Sequence, residues 1–173
     1  DRMKEYTEGK ITVRAENAVK LHVRIPEWAE NFALSAEYTV MRGYAVAELP
    51  AGENELTVTM DAPVRKLMAH PWVGADTGRV AIKKGAVLYC VEQETETWEA
   101  LDFELGDDPV QVNADGTLTV TSTDGRTFTL IEYRRWNNHG ALPMRIWFRQ
   151  RGHRADVCDL SGWEGKLYRT YGE

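Results

Sequence analysis

The chain has 173 residues, enough for one large or two small domains. Hydrophobic residues make up 43% and charged residues 28%, an ordinary globular composition, and no apolar run approaches the roughly 20 residues that span a bilayer. Lys and Arg number 21 against 27 for Asp and Glu, and a net charge of −6 argues against a phosphate-binding surface, so neither nucleic acid nor membrane is expected as a partner.

The opening DRMKEY has no apolar stretch of the kind a signal peptide needs. Because the chain starts at Asp1 and not at Met, localisation stays undetermined, with the cytoplasm slightly favoured. Period two, the period of strands, then dominates. Ile11 and Val13 alternate with polar neighbours in KITVRA, and Val19, Leu21, Val23 and Ile25 do so in AVKLHVRI. The Glu16-Asn17 pair between them suits a hairpin turn. Pro26 lacks the amide hydrogen a ladder requires, so the strand should stop there, and Glu27 to Asn31 reads as a short helical turn carrying Trp28. Tyr38 to Met41, Tyr44 to Leu49 and Glu55 to Met60 read as three more strands, with turns at Gly43 and at Ala51-Gly52-Glu53-Asn54.

Residues 61–78 hold Pro63, Pro71, Gly74 and Gly78 and read as a connection from one sheet to another. Arg79 to Lys83 and Ala86 to Glu92 make a strand pair around Lys84-Gly85, and the near-continuous apolar run AVLYCV indicates a strand covered on both faces. Glu94 to Asp108 is acidic and poorly patterned, a long surface loop. Asp115-Gly116 and Asp124-Gly125 then mark two tight turns between alternating flanks, Leu118 and Val120, then Phe128 and Leu130. Asn137-Asn138-His139-Gly140 turns the chain back into Met144 to Phe148, and Leu167 to Tyr171 is a weaker final strand. No long amphipathic helix or internal repeat is visible. Short strands with frequent turns argue for an all-β chain built of β-sandwiches.

Candidate chemistry is sparse. His22, His70, His139 and His153 show no metal-ligand spacing. Cys90 sits in an apolar run and reads, with Cys158, as a reduced structural cysteine, although a disulfide stays open on sequence grounds. Glu92, Glu94, Glu96 and Glu99 crowd one solvated loop, where carboxylates stay ionised and make poor general acids. Ser35, Ser122 and Ser161 have no persuasive His partner. The late arginines Arg134, Arg135, Arg145, Arg149, Arg151 and Arg154 read as solvated faces or ion pairs. Six tryptophans remain: Trp28, Trp72, Trp98, Trp136, Trp147 and Trp163. Trp28 and Trp136 read as packing residues, and Trp98, beside Glu96 and Glu99, is the candidate exposed ring for stacking on a sugar.

Four segments carry a resemblance: VRIPEWA (23–29), APVRKLMAHP (62–71), GRVAIKKGAVLYCVE (78–92) and FTLIEYRRWNNHGALPMRIWF (128–148). In that order they resemble the C-terminal β-sandwich region of glycoside hydrolase family 127, the zinc-containing β-L-arabinofuranosidases and relatives long catalogued as a domain of unknown function. The resemblance runs from about Tyr6 to Phe148, with departures at Ala86 and in Glu48-Leu49-Pro50-Ala51. It implies two antiparallel, jelly-roll-like sandwiches with few or no long helices. The first would span 1–75, joined by a strand returning from 159–173, and the second 76–158. It also implies that zinc and a nucleophilic cysteine belong to a helical-barrel catalytic domain lying upstream. That motif includes adjacent cysteines, which this chain lacks, so no cofactor, metal ligand or catalytic residue is expected in it. The expectation is a non-catalytic accessory region, detached from its barrel, that packs on the barrel or forms a homodimer, with plant-type glycans as the wider substrate. A carbohydrate-binding module using exposed aromatics such as Trp98 is the alternative, and an unrelated interaction or adhesion sandwich is the third.

Overall fold

The computed structural model describes residues 7–92, 101–138, 140, 142–154 and 156–172. Among these residues the chain forms sixteen strands, with short 3-10 turns at Gly74–Asp76 and Tyr133–Arg135. The fold is all-β, as the period-two alternation predicts. It divides into two units, Asp1–Pro63 and Val64–Glu173.

The first unit holds β1 (Glu8–Ala15), β2 (Val19–Arg24), β3 (Glu30–Leu34), β4 (Thr39–Met41), β5 (Tyr44–Leu49) and β6 (Gly52–Asp61). β6 pairs antiparallel with β1 and β3, while β5 pairs with β2 and β4. Ile11, Val13, Leu34, Leu56 and Val58 from the first sheet share one core with Val19, Leu21, Val23, Ala47 and Leu49 from the second. The Glu16-Asn17 link is therefore not the expected hairpin turn. It carries the chain from one sheet to the other, because β1 finds its full-length partner in β6 and β2 finds its own in β5.

The expected helical turn at Glu27–Asn31 is also corrected. A single turn closes where the Ala29 N–H donates to the Pro26 carbonyl at 3.0 Å, and β3 starts directly after it. Asn31 takes φ 49° at a register shift between Glu30 and Ala33, and its Nδ2 donates to Asp61 at 2.6 Å. Between β4 and β5 the two-residue loop Arg42-Gly43 has φ 51° and 79°, the doubly positive geometry that matches strand twist.

The second unit holds β7 (Val64–Ala69), β8 (Arg79–Lys84), β9 (Val87–Glu92), β10 (Glu104–Leu105), β11 (Gln111–Val112), β12 (Leu118–Thr121), β13 (Thr127–Glu132), β14 (Met144–Arg145), β15 (Trp147–Gln150) and β16 (Tyr168–Thr170). One layer runs β16–β7–β8–β15–β10, with the last pair parallel. The other runs β11–β12–β13–β9, with β14 also on β9. The β8–β9 hairpin joins them, Lys84 opposite Val87. Val80, Ile82, Leu105 and Phe148 meet Tyr89, Val91, Leu118, Val120, Phe128 and Leu130 in one core. Tyr89, Cys90 and Val91 are all buried, so β9 is covered on both faces as its apolar run requires.

Part of the expected connection over 61–78 is a strand. β7 pairs with β8 on one side and β16 on the other, and it hides its character by sending Lys66 inward, where Nζ donates to Gln150 Oε1 at 2.8 Å. The division expected from sequence placed residues 64–75 with the first sandwich and returned a strand from 159–173 to it. In the structure β7 and β16 pair with each other inside the second unit.

The acidic stretch 94–108 is no surface loop over its second half. Residues 93–100 lie outside the described residues, but Leu101, Phe103 and Leu105 enter the core. Phe103 stacks on Phe128 with centroids 3.8 Å apart and planes at 6°, and lies 5.3 Å from Phe148. Burial of such a ring contributes about 1.5–3 kcal/mol.

The two Asp-Gly turns share one geometry. Asn113 N–H donates to Thr117 O and Gly116 N–H to Asn113 O, and Ser122, Gly125 and Arg126 repeat the pattern. Gly116 and Gly125 have φ 86° and 83°, so each loop is a type I turn closed by a left-handed glycine. Asp115 and Asp124 reinforce it by accepting the N–H groups of Thr117 and Arg126.

Candidate functional site

Strand alternation decides which side chains leave the core of the second unit. Phe148 is buried, so its neighbours Trp147 and Arg149 project from the opposite face, in register with Ala81 and Arg79 of β8. Tyr168, half exposed, stacks on Trp147 with centroids 5.9 Å apart and planes at 26°.

Beside this aromatic pair three arginines converge on Asp102. Arg79 Nη1 lies 2.8 Å from Oδ1, Arg145 Nη1 3.1 Å from Oδ1, and Arg149 Nε 3.7 Å from Oδ2. Arg149 Nη2 also donates to the Asp102 carbonyl at 2.7 Å, and Arg79 Nη1 reaches the Trp147 carbonyl at 3.4 Å. The hydrogen bond from Arg79, helped by the three positive charges, holds the Asp102 carboxyl below the usual carboxylate range despite partial burial. The 101–105 segment is thereby pinned to β8 and β15.

A depression of about 370 Å³ opens next to this cluster, between the Gly74–Asp76 turn and strands β8, β14 and β15. Asp76, Arg79, Arg145 and Trp147 line it. Burial raises the Asp76 carboxyl above its ordinary value, and the charge of Arg79 pulls it back. The Asp76 side chain has no hydrogen-bond partner among the described residues, so its oxygens are available to a ligand.

A second aromatic group sits at the end of β7 and β16. Trp72 is 72% exposed and meets the His70 ring edge-on at 5.5 Å. His70 lies 5.2 Å from the buried Trp163, over which the Arg169 guanidinium sits at 5.3 Å. The adjoining groove, about 340 Å³, includes His153, Asp156 and Asp159. Both carboxylates accept backbone N–H groups, from Cys158 and Ser161, and burial lowers the pKa of His153. In the first unit a wider hollow of about 790 Å³ lies on the outer face of β2, β5 and β4, where Lys20 pairs with Glu48 at 3.0 Å and His22 meets Tyr44 edge-on.

Trp98, the sugar-stacking candidate, lies outside the described residues, as do Glu94, Glu96, Glu99 and His139. Trp28 is half-buried. Trp136 Nε1 donates to the Leu142 carbonyl at 2.9 Å, and its ring stacks on Tyr133. Trp72 is the most exposed large apolar side chain of the described residues, and Trp147 the ring beside the charged cluster. Neither was singled out from sequence: Ile146, Trp147 and Phe148 form one apolar run, and only the burial of Phe148 in the structure places Trp147 outward.

Cys90 is buried and its thiol is pushed up to about 11, by desolvation first and then by Glu92, which makes it a poor nucleophile and metal ligand. Cys158 is exposed, and the two cysteines are not bonded to each other. Among the described residues no three His, Cys, Asp or Glu side chains stand close enough to hold a metal ion together. These residues do not fit the zinc that the family resemblance implies for a catalytic domain.

The glycoside hydrolase family 127 C-terminal domain profile matches residues 64–149. A non-reducing end β-L-arabinofuranosidase of Bifidobacterium longum subsp. longum is 26% identical over 110 residues, covering 60% of this chain and 17% of that protein. The crystal structure of a GH127 β-L-arabinofuranosidase from Geobacillus stearothermophilus T6 superposes with a TM-score of 0.59 at 23% identity, over 84% of this chain and 29% of that one. A further GH127 β-arabinofuranosidase structure gives a TM-score of 0.58 at 21% identity, over 87% of this chain and 30% of that one. The chain thus spans less than a third of the length of these relatives, and the structural likeness is one of fold.

Proposed function

The chain belongs to the C-terminal region of glycoside hydrolase family 127, and from that premise we propose that it is a non-catalytic β-sandwich part of a β-L-arabinofuranosidase-like enzyme. The observation that carries this reading is the coincidence of the family domain with the second unit. The match begins at Val64, the first residue of β7, and ends within β15, so it takes in the strands that build the core. Polar side chains inside it are committed to architecture: Glu132 holds Arg134 at 2.7 Å, Lys66 holds Gln150, and the Tyr89 hydroxyl donates to the Gly116 carbonyl at 3.0 Å. Glycoside hydrolysis ordinarily needs a protonated carboxyl facing a second carboxylate across the sugar. The Asp76 carboxyl is raised, and it faces Arg79 and Arg145 across the depression.

In this reading hydrolysis, zinc and the nucleophile belong to a helical-barrel catalytic domain against which the two sandwiches pack. No observation favours a homodimer over that packing.

The test has two arms. Purified chain, supplied with zinc, is incubated with 4-nitrophenyl β-L-arabinofuranoside; no release above buffer is expected. Turnover that co-purifies with the chain and disappears in Asp76→Asn overturns the reading. The chain is then mixed with a separately produced family 127 barrel domain and passed through size-exclusion chromatography with light scattering. A shared peak is expected, and two independent peaks remove the packing role.

A further inference from the structure

We propose that the depression between the Gly74–Asp76 turn and strands β8, β14 and β15 binds one neutral saccharide unit. The ligand class rests on the glycoside-hydrolase reading above; the place rests on geometry.

A sugar ring offers an apolar C–H face and a rim of hydroxyls that both donate and accept. The depression holds a counterpart for each. Trp147 supplies an aromatic wall, braced from outside by Tyr168. The Asp76 carboxylate can accept from two neighbouring hydroxyls, and its oxygens have no partner of their own among the described residues. Arg79 spends Nη1 on Asp102 and on the Trp147 carbonyl, which leaves its other N–H groups to donate.

The donors are also held in place. Asp102 fixes Arg79 and Arg145 at 2.8 and 3.1 Å, so a ligand meets guanidinium groups that have already lost much of their rotamer freedom. Charge chooses between ligands. Arg79, Arg145 and Arg149 outnumber Asp76 and Asp102 by one charge, but Arg149 does not line the depression. The Asp76 carboxylate on its wall repels an anion while accepting from the hydroxyls of a neutral polyol. Size limits the occupant too: about 370 Å³ is near the lower end of the roughly 300–1,000 Å³ found for small-molecule sites, which suits a single ring. The groove beside Trp163 is a weaker candidate, because Asp156 and Asp159 already serve backbone N–H groups.

The whole chain is titrated with L-arabinose and, in parallel, with galacturonate, by calorimetry and tryptophan fluorescence. Saturable arabinose binding with a Kd on the order of millimolar is expected. Asp76→Asn, a near-isosteric change at a part-buried turn residue, should weaken it about tenfold, whereas Trp72→Ala, outside the depression, should leave it unchanged. Three results overturn the site: no saturation at about 100 mM arabinose, saturation that Asp76→Asn leaves intact, or tighter galacturonate binding that salt abolishes. Absent binding with absent turnover removes this site alone. Turnover by the chain removes the accessory reading and leaves the site to be judged by its own titration.

Discussion

Replacing Asp102 by alanine should destabilise the second unit by about 2–3 kcal/mol at neutral pH. Two of its ion pairs are close, 2.8 Å to Arg79 and 3.1 Å to Arg145, and hydrogen bonds to charged groups contribute about 1.5–3 kcal/mol when well buried. These side chains are 31%, 21% and 24% exposed for Asp102, Arg79 and Arg145, so water screens each pair to about 1 kcal/mol. Arg149, 51% exposed and 3.7 Å away, adds no more than about 0.5 kcal/mol. The remainder is repulsion among guanidinium groups left facing one another. Asp102→Asn keeps an acceptor oxygen and should lose about half as much.

Urea unfolding followed by tryptophan fluorescence reads this directly, since five of the six tryptophans lie in residues 64–173. The pH dependence supplies a second check. Asp102 has a depressed carboxyl pKa in the folded chain, so its stabilisation is complete above the unfolded value of about 3.9 and is lost as pH falls through the folded value. The gap between the parent and Asp102→Ala should therefore be flat from about pH 7 to 5 and narrow below about 4. A loss under about 0.5 kcal/mol at pH 7, or a gap that persists undiminished in acid, refutes the reasoning.

Phe103→Ala removes the ring stacked between Phe128 and Phe148 and should cost about 3–5 kcal/mol in the same unfolding assay, with Phe103→Leu losing clearly less. At pH 8 a disulfide reagent should titrate Cys158 alone in the folded chain and both thiols after denaturation, because Cys90 is buried and raised to about 11; two fast thiols in the native chain would contradict that burial. Gly125→Ala forces a side chain into φ 83° and should cost about 1 kcal/mol, while Gly9→Ala, on an open strand without positive φ, should cost nothing measurable.

Alternation made most strands legible without coordinates. Val19, Leu21 and Val23 face one core, and the Asp-Gly pairs sit in loops whose left-handed glycines they announce. The elements that escaped had local patterns that conflicted with their packing. β3 follows Pro26 and a turn, and its register shift at Asn31 breaks the alternation. β7 reads VRKLMA, and Lys66 looks like a solvent residue until Gln150, distant in the chain, gives its ammonium a partner. Leu101, Phe103 and Leu105 do alternate, but the acidic residues around them masked a buried segment as a surface loop.

Residue order therefore determined that this is an all-β chain, where most of its strands and turns fall, and which family it resembles, because period-two burial and turn chemistry are properties of neighbours. Tertiary structure alone decided that β1 and β2 part into different sheets and that β7 and β16 pair within the second unit. It also decided that Arg79 and Arg149, 23 and 47 residues from Asp102, meet at one carboxylate beside Trp147. Contacts at such separations form only when whole sheets pack, and no local pattern of charge or hydrophobicity records which distant partner will arrive.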